Sequence, residues 1–226
     1  MGLNQVTTAI VCDNGEPTLE KCISSLRGQT VPVRIVVAAG PKTDLSLAEK
    51  LADKVYSPIS GIGRARVNAI LNEEGEFFLS CDADSVYEAH YAEYALQDLK
   101  AGAKAVKAGV ILPLKWNEPL VLLETVLTLV PPYEFALAFR KSAFIDAGIH
   151  KLDYSDSRAD IGGAVVNRLN PWTDFRIVCF TRMPTKGGYE FAEKYLPSAL
   201  IGIAPVMGVV GVALANELTQ RTHVIG

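Results

Sequence analysis

The hydrophobic positions change period several times along the chain, and the changes mark its elements. Thr7 to Cys12 is a continuous run rich in β-branched residues, which predicts a buried strand. Asp13-Asn14-Gly15 turns the chain, and Pro17 suits a first helical turn. Leu19, Cys22, Ile23 and Leu26 then recur at i, i+3, i+4 and i+7, one face of a helix that Gly28 stops. Val31 to Ala39 predicts a second strand. Leu45, Ala48, Leu51 and Ala52 mark a short helix, and Lys54 to Ser57 a third strand. This alternation implies a parallel sheet with right-handed crossovers. Gly61 and Gly63 open another helix, with Val67, Ile70 and Leu71 on its apolar face and Arg64 and Arg66 in its first turns.

Glu76 to Cys81 predicts a strand buried on both faces, ending in Asp82-Ala83-Asp84. A helix over Glu88 to Ala101 and a strand over Ala105 to Leu112 follow. Leu120 to Val130 is apolar and of helical length. Glu134 to Arg140 alternates like a strand, Asp156 to Leu169 begins polar and becomes a helix, and Phe175 to Thr181 is a further strand. Pro184 to Gly188 reads as a loop. The last run is of another kind: Leu196 to Ala215 contains no charged residue and matches the length needed to cross a bilayer. Pro205 would kink or split a helix there. The expected organisation is a catalytic α/β domain over 1–187 and an apolar helical segment over 188–226, the latter either membrane-associated or a core helix. Basic residues are denser before the run (Arg182, Lys186, Lys194) than after it (Arg221), which favours a cytoplasmic catalytic domain.

Composition alters this picture little. The 226 residues suffice for one large domain, and 49% of them are hydrophobic. The net charge of −3 includes no long charge run, so nucleic acid is not expected as a partner. Cys12, Cys22, Cys81 and Cys179 sit in apolar settings without CxxC spacing and read as reduced core thiols. His90, His150 and His223 form no ligand cluster, and no signal peptide precedes the first strand.

The chemistry concentrates at the acidic turn. Ligands of open α/β sheets bind beyond the carboxyl ends of the strands, where Asp82 and Asp84 fall. Two carboxylates held close repel unless a cation joins them, and hard divalent cations choose oxygen ligands. A Mg²⁺ or Mn²⁺ site for nucleotide phosphates is therefore expected; the alternative is a solvated turn. Arg64 and Arg66 lie where an anion would meet both guanidinium groups and a helix N-terminus; the alternative is a solvated basic face.

Taken together, these blocks resemble the inverting family 2 glycosyltransferases of the GT-A fold, over about Thr8 to Arg168. Ala9 to Thr30 (AIVCDNGEPTLEKCISSLRGQT) is similar to the family's opening strand, turn and helix. Gly61 to Ile70 resembles its "GxxxARN" block through Ala65-Arg66. Gly75 to Ser85 resembles its "GEYILFLDADD" strand, and Phe135 to Gly148 (FALAFRKSAFIDAG) its acceptor-side strand and helix. The resemblance implies a mixed, mostly parallel sheet flanked by helices. It further implies a UDP- or GDP-sugar donor and a glycan, protein or lipid-linked acceptor. A divalent cation (Mn²⁺ or Mg²⁺) would sit on Asp82 and Asp84. Asn14, Arg64, Arg66, Asp82 and Arg168 would bind substrate, and Asp160 would be the general base. Asp160 also suits a helix N-cap. The chain departs from the family at Ala39, where a nucleobase-binding Asp is usual, at Val67 in place of Asn, and at Ala159 in place of Glu. Two other readings stay open: a sugar-nucleotide nucleotidyltransferase, and a non-catalytic glycan- or nucleotide-binding protein on the same fold.

Overall fold

The computed structural model describes residues 7–113, 136–155 and 159–181. The elements expected at Leu120–Val130, 184–188 and 196–215, and the domain boundary at 187/188, lie outside them. In chain order the elements are β1 (Thr7–Asp13), α1 (Leu19–Arg27), β2 (Val33–Ala39), α2 (Leu45–Leu51), β3 (Lys54–Tyr56) and α3 (Ile62–Asn72). They continue with β4 (Phe77–Asp82), β5 (Ser85–Tyr87), α4 (Tyr91–Lys100), β6 (Ala105–Pro113) and β7 (Leu137–Arg140). Last come α5 (Lys141–Asp146), a 3₁₀ turn (Ile149–Lys151), α6 (Gly162–Leu169) and β8 (Trp172–Thr181).

The strands form one sheet in the order β3-β2-β1-β4-β7-β6-β8-β5. β1 pairs in parallel with β2 and β4, β2 with β3, and β6 with β8. β7 runs antiparallel between β4 and β6, and β5 antiparallel beside β8. The expected mixed, mostly parallel sheet is thus observed among the described residues.

The two-residue side-chain period of the strands sorts the core into two layers. Ala9, Val11, Ile35, Val37, Leu79 and Cys81 face one layer, with α1, α2 and α4. Ile10, Cys12, Val36, Ala38 and Phe78 face the other, with α3, α5 and α6. The buried side of α1 is Leu19, Cys22, Ile23 and Leu26, the four positions its period selects. All four cysteines are free and buried. Burial pushes the thiols of Cys12 and Cys81 well above their ordinary range, so they pack as apolar side chains.

Two expectations need correction. The acidic turn leads first into the three-residue strand β5, and the helix begins only at Tyr91. Three residues carry no readable period; pairing of Ser85–Tyr87 with Cys179–Thr181 on β8 makes them a strand. In α3, Leu71 is 42% exposed, whereas Arg66 is buried. The inward face of that helix is Gly63, Ala65, Arg66, Val67, Ala69 and Ile70. Small residues let α3 lie close to the sheet, and Arg66 has buried partners that Leu71 lacks. Just past the C-terminus of α3, Glu73 accepts from Arg34 Nε (2.9 Å) and Tyr56 Oη (2.9 Å) and pairs with Lys54 (2.8 Å), tying α3 to β2 and β3.

Candidate active site

β1, β2 and β4 end at one edge of the sheet, with Cys12 in register with Asp82 and Asp13 with Ala39. The backbone of the acidic turn is gripped there at four points. Asp82 N–H donates to Tyr87 Oη (2.9 Å), and the Asp82 carbonyl accepts from the Cys22 thiol (3.3 Å). Ala83 N–H donates to the Cys12 carbonyl (3.0 Å), and the Ala83 carbonyl accepts from Thr18 Oγ1 (2.9 Å). A solvated turn would leave these groups to water. This turn is fixed by β1, α1 and β5, so the directions of its carboxylates are set before any ligand arrives.

Ser80 and Asp82 lie two residues apart on β4 and face the same side, toward α3. Arg66 comes up from α3 beneath them. Its Nη2 donates to Asp82 Oδ1 (2.6 Å), and its Nη1 to Ser80 Oγ and the Cys81 carbonyl (3.1 Å). On its other side Nε and Nη2 grip both oxygens of Asp160, at 3.1 and 2.8 Å. Asp82 and Asp160 stay partly exposed, at 40% and 28% of their side chains, while Arg66 is 1% exposed. Asp160 is not a helix N-cap: α6 starts at Gly162 with Ile161 in the cap position. Its Oδ1 accepts from the neighbouring Ile161 N–H (2.7 Å).

The segment bearing Asp160 rests directly on α3. Gly63 N–H donates to the Ala159 carbonyl at 3.0 Å. A Cβ at Gly63 would stand 2.6 Å from that oxygen and 2.6 Å from Tyr154 Cδ1. Gly63→Ala is therefore expected to destabilise the fold by about 1–3 kcal/mol, as overpacking does. It should also shift Asp160 and lower activity. Urea titration beside an exposed control, Leu71→Ala, checks this; equal stability of the two variants would refute the contact.

Asp84 is mostly buried and accepts from Ser85 Oγ (3.1 Å). Burial, and then the charge of Asp82, raise its carboxyl to about 6. An unfolded Asp titrates near about 4. The folded value lies above the unfolded one, so the folded chain holds an extra proton between them. The stability this gives is present below about pH 4 and is lost as the pH rises through 6. Accordingly, Asp84→Asn should raise the melting temperature of EDTA-treated protein at pH 7.5 and leave it nearly unchanged at pH 4. A shift equal at both pH values would show that Asp84 carries no such strain.

Asp82 and Asp84 are the residues that could hold a hard divalent cation. Among the described residues no group of three or more His, Cys, Asp or Glu side chains converges on one point. Mg²⁺ and Mn²⁺ on nucleotide phosphates need only one or two carboxylates, with phosphate oxygens and water completing the shell. Asp84 and the second oxygen of Asp82 meet that need.

The other anticipated residues are dispersed. Arg64 is exposed on the first turn of α3 and makes no hydrogen bond or ion pair among the described residues. Asn14 Oδ1 accepts from Lys42 N–H (3.1 Å), and its side chain packs on Gly40, holding together the loops after β1 and β2. Ala39 is fully buried. Arg168 is not brought to the acidic edge. It sits in the last turn of α6, about 9 Å of helix rise beyond Gly162, and donates to the Ala147 carbonyl (2.7 Å) at the end of α5. There it lines a cavity of about 570 Å³ with Lys104, Arg140 and Asp146. Arg140 pairs with Phe77, the first residue of β4, so this cavity lies at the opposite edge of the sheet. Its arginines serve helix-end carbonyls, Leu99 and Ala103 for Arg140 and Ala147 for Arg168. Sequence reading missed Ser80, Tyr87 and Thr18, which shape the site. Only Ser80 left a signal, through its two-residue spacing from Asp82.

No protein-family model matches the chain, and no curated protein does. Solved structures do. The chain aligns with S. aureus TarS at a TM-score of 0.56 and 16% identity, over 86% of this chain and 40% of that one. TarS 1–349 in complex with UDP-GlcNAc gives 0.57 and 16%, over 80% and 60%. TarS 1–349 in complex with UDP gives 0.57 and 16%, over 82% and 62%. The chain thus spans less than two thirds of the length of these proteins, and what it shares with them is their fold.

Proposed function

We propose that the chain is a glycosyltransferase of the inverting, family 2 type, moving a sugar from a nucleoside-diphosphate sugar to an acceptor hydroxyl. The observation that carries this reading is the convergence of Asp82 and Asp160 on one buried Arg66, with Asp84 close enough to Asp82 to feel its charge, at the ligand-binding edge of the sheet. If all three acids are ionised, one arginine leaves a surplus of two negative charges, which suits one divalent cation. The fold shared with TarS, whose structures contain UDP-GlcNAc and UDP, supports a nucleotide-sugar donor.

In this reading Asp84 and Asp82 would hold Mn²⁺ or Mg²⁺. That cation, when bound, supplies positive charge against the leaving group. Exposed Arg64 meets the donor diphosphate from the start of α3. The carboxylate of Asp160 takes the proton of the acceptor hydroxyl as its oxygen attacks the anomeric carbon. The bond from that carbon to the diphosphate oxygen breaks on the opposite side, and the nucleoside diphosphate leaves. One displacement inverts the anomeric centre and needs no covalent enzyme intermediate.

Incubation with a panel of UDP- and GDP-sugars and Mn²⁺ tests this. Release of nucleoside diphosphate supports it. Release of pyrophosphate would instead identify a nucleotidyltransferase, and no release a binding protein. We further propose that 196–215 associates with a membrane and brings a cytoplasmic catalytic domain to its glycan, protein or lipid-linked acceptor. Truncation after Tyr195 should then free the protein from the membrane fraction and preserve donor binding. A full-length chain that stays in the supernatant of high-speed centrifugation would refute the anchor. Among the described residues, no helix is long and apolar enough to cross a membrane.

A further inference from the structure

Arg66 is the most completely enclosed charge at the site. A guanidinium carries five N–H donors in a fixed fork. Here five acceptors meet them: both oxygens of Asp160, one of Asp82, the Ser80 hydroxyl and the Cys81 carbonyl. With 1% of the side chain exposed, no N–H remains for a donor phosphate or an acceptor sugar. This departs from the expectation that Arg66 binds substrate. Its two carboxylate partners come from distant parts of the chain, 16 and 94 residues away. In the reaction proposed above they have different tasks, one beside the cation and one as base.

We infer that Arg66 is a positioning residue: it touches no substrate, and its fork fixes Asp160 at a set distance from Asp82. The base thereby stands in a set place relative to the donor diphosphate. Ser80 acts through Arg66, holding Nη1 on the side away from Asp160. Lysine at position 66 would keep the charge and lose the fork. The inference rests on the glycosyltransfer reading for the roles of the two acids, but the tie between them can be measured without turnover.

The test uses the full chain with Arg66→Lys and Ser80→Ala. Calorimetry with UDP and with uridine, each with Mn²⁺, is paired with UDP release from a UDP-sugar panel. A misplacement of about 1 Å costs on the order of 100-fold in rate. Turnover should therefore fall about 100-fold in Arg66→Lys and about 10-fold in Ser80→Ala. Donor KM and UDP affinity should stay within about threefold, because the lost geometry matters only in the transition state. A tenfold or greater loss of UDP affinity with uridine affinity unchanged would place Arg66 on the diphosphate and overturn the inference. Unchanged turnover in Ser80→Ala would also overturn it, and that variant decides the matter if Arg66→Lys does not fold. If wild-type protein releases nucleoside diphosphate from no sugar nucleotide, the proposed function fails; the tie is then judged by ¹⁵N NMR. A solvent-protected arginine Nε–H signal, absent in Arg66→Lys and shifted in both Asp160→Asn and Asp82→Asn, supports it. Absence of a protected signal in wild type would overturn it.

Discussion

Asp84→Asn is expected to reduce the affinity for UDP–Mn²⁺ by about 100-fold or more at pH 7.5, nearly abolishing binding. The argument is one of availability. Asp82 already gives one oxygen to Arg66, so its charge is shared. Asp84 accepts from the Ser85 hydroxyl, and burial together with the charge of Asp82 makes its ionised form unfavourable. Binding a cation relieves both causes at once, so the preference for the loaded state is largest at Asp84. Breaking a buried charge pair by removing one partner costs about 3–5 kcal/mol, which corresponds to that loss or more. Asp82→Asn should weaken binding less, because Arg66 still neutralises part of the site and the Asn carbonyl can keep its contact. Calorimetry with UDP and GDP, with Mn²⁺ and in EDTA, gives the answer. Equal wild-type affinity in EDTA would remove the metal from the mechanism.

Asp160→Asn is expected to leave donor binding intact and lower kcat by about 10²–10⁴, the usual contribution of a general base. The carboxylate is 28% exposed and keeps lone pairs beyond those occupied by Arg66 and Ile161 N–H, so a hydroxyl can reach it. The amide is nearly isosteric and retains one acceptor for the Arg66 fork, but it cannot take a proton. Loss of one charge-assisted contact should cost about 1–3 kcal/mol of stability, so rates must be compared well below the melting temperature. A base acts in the transition state, and the loss should fall on kcat rather than on donor affinity. Turnover within about tenfold of wild type would exclude Asp160 as the base.

The local pattern of the chain determined much of this protein. The continuous apolar runs placed β1, β2 and β4, and the i, i+3, i+4, i+7 repeat named the four buried residues of α1. The same pattern located Asp82 at a strand end, because a strand that ends in carboxylates at the sheet edge is legible from adjacent residues alone. It did not determine what those carboxylates meet. Arg66 read as an anion- and substrate-binding residue, or else part of a solvated basic face, on a helix whose apolar side included Leu71. The fold inverts this by burying Arg66 under β4 and leaving Leu71 in water. The cause is non-local: a buried guanidinium is tolerable only when its N–H groups are satisfied. The satisfying oxygens come from Ser80, Cys81, Asp82 and Asp160. No periodicity within α3 can encode partners that lie in other elements. The same holds for β5, which exists because β8 pairs with it and whose Tyr87 reaches back to the Asp82 N–H. It holds too for Arg168: helical spacing alone left open which end of the sheet it serves, and the packing of α6 against α5 carried it to the edge opposite the acids.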